Sequence, residues 1–159
     1  MEQVYHTPVL LHESITALDI KENGVYVDAT FGGGGHSREI LRRLGPDGTL
    51  ISFDRDTDAI KNAPDDNRLI LVHNNFRFVE NFVHYNGFRH VDGILADLGV
   101  SSHQFDSGER GFSFRFDAPL DMRMNQLAKK NAADIINGYE QDELARIFKI
   151  YGEIDKPRK

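Results

Sequence analysis

The sequence predicts an open α/β fold on a parallel sheet. Three observations carry that expectation: short β-branched runs alternate with helically spaced segments, four consecutive glycines follow the first run, and an acid closes the first, second and fourth runs. Residues 25–29, 50–53, 69–72 and 93–98 are apolar runs too short for a typical helix and read as four buried strands. Between them, residues 37–44, 56–63 and 76–85 carry helical spacing. Strand and helix thus alternate three times, the pattern of a parallel sheet with right-handed crossovers. Residues 99–124 have no sustained period and read as a long loop, in which phenylalanines 105, 112, 114 and 116 argue against disorder. Helical signals return with a short helix from Asn131 or Ala132 to Gly138. A second, over residues 140–151, places Leu144, Ile147, Phe148 and Tyr151 on one face.

A chain of 159 residues with 40% hydrophobic content builds one core and an appendage. Cysteine is absent, which excludes disulfides, thiolate metal sites and a cysteine nucleophile and leaves the cytoplasm as the expected compartment. The opening MEQVYHTPVLLHES fits neither a signal peptide nor a membrane span, so a soluble protein is expected. The net charge of −6 counts against a polyanionic partner, but residues 1–98 hold 9 basic and 15 acidic side chains and residues 99–159 hold 10 of each. A local basic surface at Arg110, Arg115, Arg123, Lys129 and Lys130 is one reading of the second part, and an ordinary solvated face is the other.

The strongest local signal is VYVDATFGGGGHS, where Gly32, Gly33, Gly34 and Gly35 follow the first strand and lead into a helix. Glycines there let the backbone turn tightly and approach a ligand at the carboxyl edge of the sheet. A dinucleotide fingerprint fails because Ser37 stands where its third glycine belongs, and no phosphate-loop Gly-Lys-Ser or Gly-Lys-Thr follows. Asp28, closing the first strand, would repel a pyrophosphate and suits an ammonium group. Asp54 lies 22 residues after Gly32, near the spacing of about 20 at which an acid grips ribose hydroxyls. These acids point to a nucleoside with a cationic tail. Asp97, after the fourth strand, reads either as an acceptor for a base amino group, as a holder of the cofactor's amino-acid end, or as a loop cap. His36 stands at the helix start with its backbone N–H toward the ligand side. His6, His12, His73, His84, His90 and His103 show no metal-ligand spacing, so no metal is expected. No Gly-x-Ser-x-Gly elbow supports hydrolase chemistry.

Taken together, HTPVLLHE, DATFGGGGHS, FDRD, DGILADLGVSS and RGFSFRFDAPLDMRM resemble the ribosomal RNA small-subunit methyltransferase H family, from His6 to about Gly152. The resemblance implies a class I, Rossmann-like methyltransferase fold with an incomplete sheet and a helical C-terminal segment. It implies S-adenosylmethionine as cofactor and N4-methylation of a cytidine in small-subunit ribosomal RNA, with the RNA or the ribosomal subunit as partner and no membrane. Residue by residue, it places cofactor contacts on Gly34, Gly35, His36, Asp54, Phe76, Asp97 and Gln104, with Asp97 also catalytic and Phe76 an apolar wall for adenine. Phe76 and Gln104 come from the resemblance alone.

One glycine of the run stands where relatives often carry a charged residue. Family members are about twice as long, so the resemblance divides the chain into a cofactor-binding core, residues 1–124, and the start of a helical substrate-recognition insert, residues 125–159. An unpaired sheet edge then offers a second copy a place to form a homo-oligomer. The loop at 99–124 and the helices after it form the expected RNA-facing surface, and a target base must be unstacked to reach the crevice. Two other functions stand beside this one: a nucleoside-binding module without activity, which the short length favours, and a nicotinamide-dependent dehydrogenase, which Ser37 opposes.

Overall fold

The computed structural model describes residues 8–157, so His6 of the HTPVLLHE stretch lies outside the described residues. The chain divides into two compact units, Met1–Ser101 and Ser102–Lys159. The first is built on strands β1 (Val25–Asp28), β2 (Thr49–Asp54), β3 (Leu69–His73) and β4 (Gly93–Leu95). All three pairings are parallel, in the order β3-β2-β1-β4. The fourth run is shorter than the sequence suggests. It leaves the sheet after Leu95: the Asp97 amide donates to Thr30 Oγ1 at 2.8 Å instead of to a strand, and Leu98 is exposed.

The helices are α1 (Leu11–Leu18), α2 (Gly35–Arg43), α3 (Thr57–Ile60) and α4 (Val79–Tyr85), the last preceded by a 3₁₀ turn over Phe76–Phe78. The sequence reading did not anticipate α1, whose Leu11, Ile15 and Leu18 fall on one face. Helix α3 is half the expected length. Pro64 disfavours a helical conformation at residue 63, and Asn62 turns its side chain back onto the Asp58 carbonyl.

Alternation along the strands sends side chains to two cores. On one face Tyr26, Leu50 and Leu95 meet Ile15 of α1 and Ile40 and Leu41 of α2. On the other, Val27, Ile51, Phe53 and Val72 meet Val83 of α4, and Phe82 packs edge-on against Phe53 at 5.7 Å between ring centres. Leu50, Ile51 and Phe53 are fully buried, each contributing about 1.5–3 kcal/mol by burial. The second face thins out at β4, where Ile94 is 54% exposed although its neighbour in register, Val27, is fully buried.

The second unit holds α5 (Ser102–Asp106), a 3₁₀ turn (Gly108–Arg110), α6 (Ala132–Gly138) and α7 (Gln141–Ile150). The long stretch between Arg110 and Asn131 is irregular, as expected, yet firmly braced. Buried Arg110 donates to the Arg123 carbonyl at 3.0 Å and its own carbonyl accepts from Met122 N–H, while Leu120 and Asp121 accept from the first amides of α6. Asn131 and Asp134 form a reciprocal cap, which fixes the start of α6 where the sequence placed it. On α7, Leu144, Ile147 and Phe148 are half-buried around buried Ala145, but Tyr151 is 78% exposed because it lies past the last helical turn. Among the described residues no helix is long and apolar enough to cross a membrane.

Two predictions follow from local geometry. Gly111 has φ +70°, and a Cβ there would sit 2.6 Å from both Asp121 N and Pro119 O, so Gly111→Ala should lower stability by about 2 kcal/mol or more in urea denaturation. Glu39 accepts from Arg42 and Arg43, which hold its carboxyl at about 2 against an ordinary 4.5. Its folded value is depressed, so the stabilisation is present above pH 4.5 and fades as pH falls toward 2. Glu39→Gln should lose about 0.5 kcal/mol at pH 7, a surface-pair magnitude, and urea midpoints of the two proteins should converge on acidification.

Candidate functional site

The ligand-facing edge is organised around the turn that follows β1. Phe31 N–H continues the ladder by donating to the Phe53 carbonyl at 2.8 Å, and Gly34 N–H closes the turn onto the Phe31 carbonyl at 2.7 Å. Gly32 and Gly34 both have positive φ, +52° and +76°, and a Cβ on Gly34 would meet the Phe31 ring at 2.8 Å. Gly35 is needed for a different reason. A Cβ there would collide with the Pro8 ring, so Pro8 packs directly on the start of α2.

Asp54 closes the turn from the β2 side. Its Oδ2 accepts from Gly32 N–H at 2.8 Å and its Oδ1 from Asp56 N–H at 2.9 Å. A carboxylate offers about four acceptor positions, so half of them remain for a ligand. On the β4 side Asp97 is exposed, with its amide held by Thr30 Oγ1. Asp54 and Asp97 therefore flank the glycine turn from the two strands neighbouring β1, at the point where the strand order reverses. Phe76 follows β3 at the same carboxyl edge, 39% exposed. The side chain of His36 is buried, and its Nε2 has no hydrogen-bond partner among the described residues. Gln104 lies in the second unit, buried on α5.

Asp28 corrects the sequence reading. It is fully buried, its Oδ2 accepts from Ser37 Oγ at 2.7 Å, and its Oδ1 accepts from Thr30 N–H at 3.0 Å. Ser37 Oγ also lies 2.8 Å from Ser52 Oγ. With Ser37 donating to the carboxylate, Ser52 must donate to Ser37. The acid thus ties α2 to β1 and β2 beneath the glycine turn, and its complete burial keeps it from a ligand's ammonium group. Burial pushes its carboxyl above the ordinary 3.8, against the opposing hydrogen bonds from Ser37 and Thr30.

Of the basic residues read from the second part of the sequence only Arg110 is buried; Arg115, Lys129 and Lys130 are exposed and Arg123 is half-buried, and most are paired. Arg115 pairs with Asp106 at 2.6 Å, Arg123 pairs with Asp121 at 2.6 Å, and Lys130 lies over the Tyr139 ring. The sequence reading also passed over Thr30 and Arg38. Arg38 donates to the Gly33 carbonyl at 2.6 Å and to the Asn62 carbonyl at 2.7 Å. Only its position one turn after the glycines could have signalled it.

The strand order, the glycine turn after β1 and the flanking acids define a Rossmann-like α/β protein with its crevice at the reversal between β1 and β4. The chain matches the MraW methylase family over residues 3–159. It belongs to that family and carries the corresponding Rossmann-like methyltransferase fold. It is 61% identical over 150 residues to the ribosomal RNA small subunit methyltransferase H of Flavobacterium johnsoniae, covering 94% of this chain and 50% of that one. Proteins of the same name from Phocaeicola vulgatus and Bacteroides fragilis are 57% and 58% identical over 158 residues, 99% of this chain and 52% of each relative. The chain spans about half the length of the curated relatives it matches. A solved rRNA methylase from Streptococcus thermophilus has a TM-score of 0.36 and 19% identity over 52% of this chain and 49% of its own, a likeness too slight to argue from.

The structural role of Asp28 is testable by substitution. Asp28→Ala leaves buried donors without an acceptor and should cost about 3 kcal/mol, whereas Asp28→Asn, which can accept from Thr30 and donate to Ser37, should cost about 1 kcal/mol or less. The folded pKa is raised, so the wild-type contribution is complete below pH 3.8 and declines as pH rises through the folded value. Urea midpoints across that range should shift in favour of the asparagine variant with rising pH. Equal losses for both variants at pH 7 would contradict this assignment.

Proposed function

We propose that this chain forms the S-adenosylmethionine-binding core of a methyltransferase acting on the N4 amino group of a cytidine in small-subunit ribosomal RNA. Residues 1–124 would hold the cofactor and residues 125–159 would begin the substrate-recognising insert. The observation that carries the reading is the glycine turn pinned to Asp54, with half of the carboxylate's acceptor positions unused. The names of relatives at 57–61% identity support the reaction class.

The residues present fit such a cofactor. Among the described residues no protein acceptor engages the N–H groups of Gly33, Gly35 and His36, which leaves donors at the start of α2 for the carboxylate of an amino-acid tail. Asp54 would accept from the ribose hydroxyls, and Phe76 would supply an apolar wall for adenine. The cofactor, when bound, supplies an electrophilic methyl group. Asp97, exposed at the β4 end, would accept a hydrogen bond from the cytosine amine and take its proton as the nitrogen becomes a nucleophile. The amine is otherwise a weak nucleophile because its lone pair is delocalised into the ring.

A second reading, cofactor binding without transfer, is favoured by the half-length match to the relatives. Calorimetric titration with S-adenosylmethionine should show saturable binding that Asp54→Ala weakens at least tenfold, about 1.4 kcal/mol, with no comparable binding of a nicotinamide dinucleotide. Transfer of labelled methyl groups to undermodified small subunits then separates the readings: transfer abolished by Asp97→Ala supports the enzyme, and binding without transfer supports the module. A folded chain that binds no S-adenosylmethionine would sink both.

A further inference from the structure

We infer that Arg38 is a positioning residue that holds the glycine turn in its ligand-receiving form, an inference that rests on the cofactor reading above. Among the described residues, the other hydrogen bonds that hold the turn come from β2 or from the turn itself: Gly32 N–H is held by Asp54, Phe31 N–H by Phe53, and Gly34 N–H by the Phe31 carbonyl. The peptide between Gly33 and Gly34 is fixed at its N–H end by that last bond, and Arg38 fixes the oxygen end. One arm of its guanidinium donates to the Gly33 carbonyl at 2.6 Å and the other to the Asn62 carbonyl at 2.7 Å, beyond the end of α3. Arg38 reaches these from α2, where its own amide is anchored on the Gly34 carbonyl at 2.9 Å. The planar fork spans the carbonyls of Gly33 and Asn62, which belong to separate segments of the chain, a geometry that a lysine ammonium on a flexible stem does not reproduce.

The physical need is plain. Four adjacent glycines have more backbone freedom than any other tetrapeptide, so a turn that must present N–H groups in one direction loses affinity to its own entropy unless both ends of each peptide are held. With the Gly33 carbonyl held toward Arg38, it cannot rotate into the crevice, where it would replace a donor surface with an acceptor. Charge alone would work the other way. S-adenosylmethionine carries a net positive charge, from a sulfonium and an ammonium against one carboxylate, so a nearby arginine weakens binding through space and its removal would tighten it. Positioning and electrostatics therefore predict opposite signs for the same substitution.

The test compares the wild-type chain with Arg38→Ala and Arg38→Lys, using calorimetric titration with S-adenosylmethionine and hydrogen–deuterium exchange of the ligand-free proteins. Expected are at least tenfold weaker binding and faster amide exchange over residues 31–37 and 57–63 in Arg38→Ala, with exchange in β1 and β2 unchanged. Arg38→Lys, which keeps the charge but not the fork, should recover only part of the affinity. A merely stabilising role would lower the melting temperature of Arg38→Ala and leave the affinity of the folded chain as it was. Tighter binding in Arg38→Ala, full recovery in Arg38→Lys, or unchanged exchange at the turn would overturn the inference. If the wild type binds no S-adenosylmethionine the cofactor reading fails by itself, and exchange alone decides: acceleration at the turn upholds Arg38 as its lock, and no change refutes it.

Discussion

The carboxylate of Asp54 is the constraint on which the crevice depends, because it converts a run of glycines into a shape. Left to itself the run would sample both signs of φ, and two of its members do hold positive φ in the structure. Asp54 takes the Gly32 amide of the turn on one oxygen and the Asp56 amide, two residues beyond the end of β2, on the other, so the exits of two neighbouring parallel strands are set by one side chain. Once Gly32 is fixed, Gly34 N–H can close onto Phe31, α2 can start at Gly35, and Pro8 can lie against it. A carboxylate is well suited to this, being able to satisfy backbone donors and still accept from hydroxyls.

Beneath the turn a second acid does the opposite work. Asp28 shares the strand face of Tyr26, the face covered by α2, where it is fully buried with each oxygen bonded to the protein. Its partner Ser37 occupies the position where a dinucleotide-binding fold has its third glycine for close helix–strand packing. Here the helix is joined to β1 and β2 by a hydroxyl relay through Ser37 and Ser52 instead. The residue that argued against a dinucleotide in the sequence is thus the residue that makes the alternative packing work.

The four strands could be read directly because buried parallel strands are continuous apolar runs, and the glycines and acids mark where they end. Their parity could not. Nothing in VYVD says which side of the sheet a helix will cover, so the sequence placed Asp28 at the edge correctly and assigned it to the ligand wrongly. Helix α1 escaped because eight residues with three apolar positions do not establish a period, and its burial depends on the Ile15 pocket formed by α2 and the sheet. The braced segment from Arg110 to Asn131 escaped for a related reason: its order comes from backbone carbonyls meeting Arg110 and Arg123 side chains, and such bonds leave no periodic trace. Arg38 was invisible on the same grounds, since both of its acceptors are main-chain atoms.

Charge follows from the same accounting of partners. A glycine turn at the end of the first strand of a Rossmann-like sheet most often receives a phosphate, which needs cations or free amides. Among the described residues the amides of Gly33, Gly35 and His36 meet no protein acceptor, but Arg38 is engaged by two carbonyls, and acids stand on both flanks. A ligand that placed its carboxylate on the amides and its hydroxyls on Asp54 would meet each of these features. Arg38, one turn into α2, gives its charge to two backbone carbonyls rather than to the crevice.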